Sequence, residues 1–238
     1  MGRHDVFWLD GERSDNYGMR LREPIKFGES KPKYDTASVP GRNGTLYRFD
    51  GSYENIPGTA RCFALEKGAV QNALHAVAKW CMLQPGYHRL ETVEEPDIYR
   101  MVVVLSGPQT DIRMRTLAPF ELAFDCKPAR YMKAGELPVT LTQSGALLYN
   151  PGMESLPLIT VYGTGSGTLT AGGRTVQIKR LDGSLTLDSE LQDAYKGLEN
   201  KNGTISAPEF PVLPPGESAV AWTGGIERVE IVPRWWVL

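Results

Sequence analysis

The sequence predicts a mainly β protein with two domains, an N-terminal β domain covered by one α-helix and a C-terminal antiparallel β-sandwich. Three observations support this fold class. Short segments alternate apolar and polar residues along most of the chain, which is the period of half-buried strands. Only one stretch has the three- and four-residue spacing of a helix. The 238 residues include 25 glycines and 17 prolines, which indicates many turns between short strands.

The chain opens with short strands separated by turn residues. Residues 7–9 form an apolar strand that ends at Asp10-Gly11, because this dipeptide tolerates the positive φ of a tight turn. Residues 18–22 alternate again and are the predicted returning strand. After a loop rich in turn formers, residues 45–49 alternate once more and form the next predicted strand.

One helix is predicted over about residues 66–83. Apolar residues recur there at three- and four-residue intervals and draw one stripe along a helix face. Pro85-Gly86 ends the pattern. Trp80 and Cys81 lie on the stripe, so we expect both in the hydrophobic core rather than at a cofactor.

The N-terminal domain continues with three more strands. Residues 101–105 are a β-branched apolar run, which predicts a strand buried on both faces. Residues 113–117 and 120–124 follow on either side of Pro119, whose missing N–H suits an edge or a bend. Residues 125–135 are interpreted as the join between the domains, which we place at residues 1–130 and 131–238.

The second half is strand after short strand, with no helical periodicity between the strands. Turn residues, including Asp182-Gly183 and Thr223-Gly224-Gly225, separate the candidates. Seven short strands at this spacing predict an antiparallel sandwich, and the absence of intervening helices excludes a doubly wound sheet. The predicted strands are residues 138–142, 158–162, 168–171, 175–181, 185–187, 219–222 and 227–232.

Composition excludes several classes of function. The net charge is −2, from 26 basic and 28 acidic residues, so no basic excess is available to neutralise nucleic-acid phosphates. We expect no signal peptide, because no long apolar stretch follows the basic residues of the N-terminus, and no membrane-spanning helix, because nowhere do 18 apolar residues run together. The three cysteines have the spacing of neither a zinc site nor a disulfide framework, so we expect buried thiols.

No constellation of catalytic or metal-binding residues stands out, and we expect neither an enzyme nor a cofactor. Residues 163–168 are glycine-rich, but Thr168 breaks the phosphate-binding pattern and no helix follows, which favours a turn or bulge. Asp188 and Glu190 would share a strand face at the spacing of glycosidase carboxylates. Because nothing nearby would raise one of their pKa values, a glycoside hydrolase is the weaker alternative and a structural role is favoured.

Carbohydrate binding is a second alternative, because exposed aromatic rings stack on sugars. The candidates are Trp222, Trp235 and Trp236. Adjacent residues of a strand face opposite ways, so one of Trp235 and Trp236 can enter a core while the other stays near the surface. A second buried face is equally compatible with this pattern.

Several segments, in this order, resemble the distal tail protein family of long-tailed siphophages. At the front these are Asp10-Gly11, residues 18–21 and residues 39–46, where Asn43 replaces the Asp that is common in the family. Residues 124–131 are similar to the family's passage between domains. At the back the similar segments are residues 150–152, 157–159, 163–165, 185–190 and 210–216.

The resemblance implies a structural role in the tail tip of a phage or prophage virion, for a chain made in the host cytoplasm. It implies that the N-terminal domain closes a homohexameric ring around an open channel for DNA, with a galectin-like sandwich outside. The implied partners are further copies of the chain, the tail tube protein and the tail-tip hub protein, with the tape measure protein as a further candidate. No sequence-specific nucleic acid and no membrane insertion are implied.

The candidate ring interface is residues 39–57, which follow a predicted loop at Pro32. A ring subunit must present two different patches to its neighbours. This segment is too long and too polar for a minimal hairpin, and it offers apolar and cationic side chains to a neighbour. An ordinary hairpin packed on its own domain explains it equally well. The candidate interface residues are Arg42, Leu46, Tyr47, Phe49 and Tyr53.

Overall fold

A computed structural model describes residues 5–65, 70–109 and 117–238. The protein is mainly β, with one α-helix and antiparallel sheets, which confirms the predicted fold class. By internal contacts it divides into two compact units, Met1–Arg130 with Leu238, and Tyr131–Val237. Nearly all of the predicted strand at residues 113–117 and the start of the predicted helix at residues 66–69 lie outside the described residues.

Within its described residues the first unit contains ten strands and one helix, α1 (Val70–Met82), with a short 3₁₀ turn at Ser14–Tyr17. The strands, numbered in chain order, are β1 (Phe7–Leu9), β2 (Glu12–Arg13), β3 (Met19–Leu21), β4 (Lys26–Phe27), β5 (Pro32–Ala37), β6 (Leu46–Tyr53), β7 (Ile56–Leu65), β8 (His88–Thr92), β9 (Ile98–Val104) and β10 (Leu117–Met132).

The main sheet of the first unit has the strand order β2-β1-β8-β9-β10-β7-β3, with β4 also beside β7. β7 alternates buried and outward residues along its whole length, so one face of the sheet is apolar. α1 covers this face with the stripe predicted from the sequence, and Cys81 is buried in the core as expected. Trp80 packs against the core between Tyr17 and Phe7, at ring-centroid distances of 4.7 and 5.8 Å.

Three local predictions for this unit were wrong. The strand that returns from the Asp10-Gly11 turn is β2, because β3 pairs with β7 instead of β1. The segment after Pro32, predicted as a loop, is strand β5. β9 is buried on one face only, since its residues alternate. β10 runs through the predicted join at residues 125–135 and ends at Met132.

The second unit contains nine strands and, over residues 131–237, no α-helix. A 3₁₀ turn at Lys133–Glu136 precedes the strands and another lies at Asn202–Thr204. The strands are β11 (Val139–Leu141), β12 (Ala146–Asn150), β13 (Leu158–Ala171), β14 (Arg174–Asp188), β15 (Asp193–Lys196), β16 (Glu199–Asn200), β17 (Ile205–Ser206), β18 (Gly216–Val232) and β19 (Trp236–Val237).

Three long strands, β13, β14 and β18, organise this unit. Hydrogen bonds join eight of its strands into one sheet of order β11-β18-β13-β14-β15-β16, with β12 beside β18 and β17 beside β14. Both halves of the long strands bury alternate residues in a single core, for example Ile159 and Leu169 of β13. Because no helix covers either half, the sheet must fold over on itself, which makes a sandwich.

Six of the seven strands predicted here are halves of these three. Two glycine segments interpreted as turns, Asp182-Gly183 and Thr223-Gly224-Gly225, lie within β14 and β18, whereas Gly172-Gly173 is the turn between β13 and β14. The pairing of β13 with β14 shifts register between Gly165 and Gly167, which confirms a bulge in this segment. At the same level Gly163 and Gly225 lie backbone to backbone, and a Cβ on Gly225 would collide with the carbonyl oxygen of Thr164.

Candidate interaction surface

Strands β5 and β6 form a two-stranded ribbon that belongs to neither large sheet. From Lys33 to Ser52 every residue is exposed, and only Pro32 and Tyr53 at its base are half-buried. The base is tied to the first unit by backbone hydrogen bonds, from Glu54 N to the Lys31 carbonyl and from Gly28 N to the Pro57 carbonyl, each 2.8 Å. The alternative of a hairpin packed on its own domain disagrees with this exposure.

One face of the ribbon carries a row of aromatic rings, which we call the aromatic ridge: Tyr34, Tyr47, Phe49 and Tyr53. The register pairs Tyr34 with Phe49, which places both side chains on the same face. Ring centroids lie 5.8 Å apart for Tyr34–Tyr47, 6.1 Å for Tyr34–Phe49 and 5.4 Å for Phe49–Tyr53. Tyr34, Tyr47 and Phe49 remain 51%, 64% and 44% exposed. The rings therefore contact each other, and about half of the surface of Tyr34, Tyr47 and Phe49 stays in water.

The opposite face of the ribbon is different in character. Asp35 pairs with Arg48 in the register and accepts a hydrogen bond from its guanidinium at 3.1 Å. The side chains are 63% and 80% exposed, so this ion pair contributes at most ~1 kcal/mol. Leu46 lies on this face, opposite Ala37. The two faces can therefore be tested separately by mutation.

Local sequence explains the shape of the ribbon. At its tip Val39-Pro40-Gly41-Arg42 makes a turn in which Arg42 N donates to the Val39 carbonyl at 3.1 Å. Proline at the second position and Gly41 with φ +81° at the third suit a type II turn. In β6, Asp50 accepts bonds from the amide and hydroxyl of Ser52, and these bonds lower the pKa of Asp50.

The structure brings together three of the five predicted interface residues, Tyr47, Phe49 and Tyr53, on the aromatic ridge. It places Leu46 on the opposite face and Arg42 in the exposed turn. Tyr34 was missed, because Pro32 suggested a loop. Tyr34 and Thr36 alternate with the charged residues Lys33 and Asp35, and this alternation is the signal that indicates a strand there.

The tryptophan candidates do not form an exposed platform. Trp222 is only 8% exposed and belongs to the core of the second unit, which contradicts its assignment as an exposed ring. In the pairing of β13 with β18, Trp222 lies opposite Leu169, whose side chain is buried, so Trp222 faces the same core. Trp235 is half-buried against the same core, while Trp236 donates from Nε1 to the Glu154 carbonyl at 2.9 Å.

Asp188 and Glu190 do not form a carboxylate pair on a strand. β14 ends at Asp188, and Glu190 lies in the turn after it. Asp188 is buried and accepts two hydrogen bonds from the Arg234 guanidinium, at 2.7 and 3.0 Å, and one from Glu190 N at 3.0 Å. Burial raises the pKa of Asp188, but the bonds from Arg234 and the backbone outweigh it and hold the pKa below its usual value. Such a carboxylate stays ionised and cannot act as a general acid.

Two open cavities add little chemistry of their own. One of about 660 Å³ in the second unit is lined mainly by charged and hydroxyl side chains, including Arg180, Lys196 and Ser184, and no aromatic ring lines it. The other, of about 520 Å³, lies on the first unit. Over the residues the structure describes, no three His, Cys, Asp or Glu side chains cluster as metal ligands, and no helix is long and apolar enough to cross a membrane.

Burial raises the pKa of the three cysteine thiols, to about 12 for Cys62 and Cys126 and to about 11 for Cys81. At neutral pH the thiols are therefore protonated and unreactive. All three are free and buried, as predicted from their number and spacing.

No protein-family model matches the chain, and no curated protein sequence matches it either. Its fold is similar to the crystal structure of the Dit (gp 19.1) protein of SPP1, described as a paradigm of the hub adsorption apparatus in phages that infect Gram-positive bacteria. The TM-score is 0.68 at 12% sequence identity, over 98% of this chain and 99% of the SPP1 protein. The likeness thus includes both units, and this chain has the fold of a siphophage distal tail protein.

Proposed function

We propose that the protein is a structural, non-enzymatic component of a phage tail tip: a distal tail adaptor whose copies form a ring between the tail tube and the tail-tip hub. The observation that carries the proposal is the aromatic ridge. A two-stranded ribbon with no sheet or helix against it is only marginally stable in water. Exposed, contiguous aromatic surface of this kind is typical of a site that a partner covers.

The fold supports the choice of partner. A likeness over 98% of the chain to a phage hub protein makes further copies of the chain and other tail proteins the expected partners. The ridge lies in the first unit, so we assign ring formation to residues 1–130 and the role of an outer, galectin-like platform to residues 131–238. We propose six copies per ring, with the tail tube protein and hub protein on its two sides and the tape measure protein as a further contact.

The ring would leave a central channel through which DNA passes without being bound. The net charge of −2 agrees with this, since gripping the phosphates would require a basic excess. The proposed location is the tip of the virion tail. The hydrogen bonds from Arg234 to Asp188 argue against a glycoside hydrolase, and the burial of Trp222 argues against a sugar platform.

Size-exclusion chromatography with light scattering tests the proposal. Wild-type protein at high concentration should give a mass several times that of one chain, and electron micrographs should show rings. The double variant Tyr47→Ser/Phe49→Ser should remain monomeric, because it removes most of the exposed ridge. Leu46→Ser, on the opposite face of the ribbon, is the matched control and should assemble normally. A wild-type protein that stays monomeric and also fails to bind the hub protein would refute the proposal.

A further inference from the structure

We infer that the aromatic ridge of one copy docks into an open groove on the first unit of a second copy. This inference rests on the proposed function and names the partner surface of the same site. The groove is the 520 Å³ cavity on the outer face of β7 and β10, and its lining includes Arg22, Arg61, Gly107, Pro119, Glu121 and Ala123. No residue is shared between ridge and groove.

Backbone pairing holds the described lining of the groove in place. Its floor is the paired outer face of β7 and β10, where Thr59 lies opposite Ala123 and Arg61 opposite Glu121. One wall is the segment after β9, which is held beside β10 by the bond from Leu105 N to the Ala123 carbonyl at 2.8 Å. Gly107 in this wall rests on α1, since a Cβ there would lie 3.4 Å from Met82 Cγ. A groove built on paired strands needs little rearrangement to receive a partner.

The charges of the groove suit tyrosine rings. Arg61 is committed to Glu121 at 2.9 Å and to Glu23 at 3.2 Å. Arg22 is exposed, and within the described part of the chain its guanidinium has no ion pair or hydrogen bond. A free guanidinium gains from stacking on an aromatic face, and the gain grows when the pair is removed from water.

Among the described residues, four arginines already make this contact within the chain's own units, and one of them is Arg13, 5.9 Å from the centroid of the Trp8 ring. Arg89 lies 3.8 Å from the centroid of the Tyr99 ring, Arg228 lies 4.1 Å from that of Tyr162, and Arg100 lies 4.1 Å from that of Phe27. Tyr34 and Tyr47 present ring surface of the same kind to solvent. Ring stacking by Arg22 on a ridge tyrosine is therefore the contact that we assign to the interface.

Packing of one ridge on a second ridge is less favourable. From residue 31 to residue 53 the ribbon has four cations, Lys31, Lys33, Arg42 and Arg48, and two anions, Asp35 and Asp50, a net charge of +2. Two ridges face to face would bring these like charges together, which opposes association. The charged side chains that line the groove are Arg22, Arg61 and Glu121, a net charge of +1, which opposes the ribbon less than a second ribbon of +2 would. A ridge that fits a different surface is a heterologous contact, and heterologous contacts that close generate rings.

Two complementary variants test the inference. The ridge variant is Tyr47→Ser/Phe49→Ser, which keeps an intact groove. The groove variant is Arg22→Ser/Ala123→Tyr, which removes the cation and fills the groove but keeps an intact ridge. Each alone should be monomeric by light scattering. Their equimolar mixture should give a species of twice the mass of one chain and nothing larger, because each copy then has one working surface.

The outcomes separate the inference from the proposed function. If the groove variant assembles like wild type, or if the mixture stays monomeric, the groove is not the partner surface, although a wild-type ring would still support the function. If the mixture forms full rings, ridge and groove are not the two halves of one contact. Circular dichroism verifies that both variants are folded.

Arg22→Glu alone changes an exposed side chain, and it should raise the concentration at half-assembly at least tenfold.

Cross-linking gives a direct measurement of the contact. Tyr47→Cys and Ala123→Cys proteins, mixed and treated with a short bis-maleimide, should yield a covalent dimer. Each protein alone should not, because the native thiols are buried and protonated. Absence of the cross-link in a mixture that still assembles would overturn the inference.

Discussion

The ion pair between Asp188 and Arg234 makes a quantitative prediction for the stability of the second unit. The change is Arg234→Ala. The Asp188 side chain is only 5% exposed, and the variant removes the guanidinium that donates to both of its carboxylate oxygens. Removing one partner of a buried ion pair costs ~3–5 kcal/mol of unfolding free energy. Because the Arg234 side chain is itself 29% exposed, we expect the lower end, about 3 kcal/mol.

Hydrogen exchange in urea is the suitable assay, because amides of β14 report on the second unit without averaging over the whole chain. The β14 amides of Arg234→Ala should exchange as if that unit had lost about 3 kcal/mol. The control is Lys201→Ala in the same unit, which breaks an ion pair with Glu199 whose side chains are 32% and 72% exposed and should cost far less, because exposed ion pairs contribute little to stability. A loss below about 1 kcal/mol for Arg234→Ala would show that the pair does not hold the end of β14 in place.

Three further predictions follow from contacts described above. Because folding lowers the pKa of Asp188, the stabilisation that this carboxylate gives is present above the unfolded pKa of ~3.9 and is lost as pH falls through the folded pKa. Asp188→Asn should therefore weaken the loss of unfolding free energy at acid pH, measured by urea titrations over a pH series. Trp80→Ala should lower the unfolding free energy by about 3 kcal/mol in thermal or urea unfolding, since it removes a ring that stacks on Tyr17 and packs against the core. The control Trp8→Ala, on the outer face of β1, should cost less than half of that. Equal losses would argue against the packing of Trp80 on the core. Gly225→Ala should lower the unfolding free energy by at least ~2 kcal/mol, because the added Cβ would collide with the Thr164 backbone. The control Gly203→Ala, whose Cβ meets nothing within 4 Å, should be close to neutral. A neutral Gly225→Ala would mean that β13 and β18 can move apart there.

Sequence patterns predicted the features that depend on local order. The helical stripe with Cys81 and the strands of alternating residues follow from periodicity, which neighbours along the chain determine. The strand ends were predicted less well. Asp182-Gly183 and Thr223-Gly224-Gly225 have the composition of turns, yet the chain continues through them in β14 and β18. A positive φ is common to a tight turn and to a bend within a strand, and only pairing with distant strands decides between them.

The same limit applies to the candidate interaction surface. The sequence indicated the segment and three of its aromatic residues, because exposed aromatic residues in a polar stretch are unusual. It could not assign Tyr34, since that ring joins the others only through the register of β5 with β6. Nor could it distinguish the buried Trp222 from the half-buried Trp235 and Trp236, because the burial of Trp222 depends on the layer that folds over it.

The bends in β13, β14 and β18 have a mechanical consequence for the second unit. In a sandwich whose layers are joined by loops, the layers can slide or separate while each keeps its own hydrogen bonds. Here three strands continue from one layer into the other, so separating the layers requires breaking the backbone hydrogen bonds between strands at every crossing. Under a pulling force, such a unit should resist until it yields in one step rather than peel open gradually.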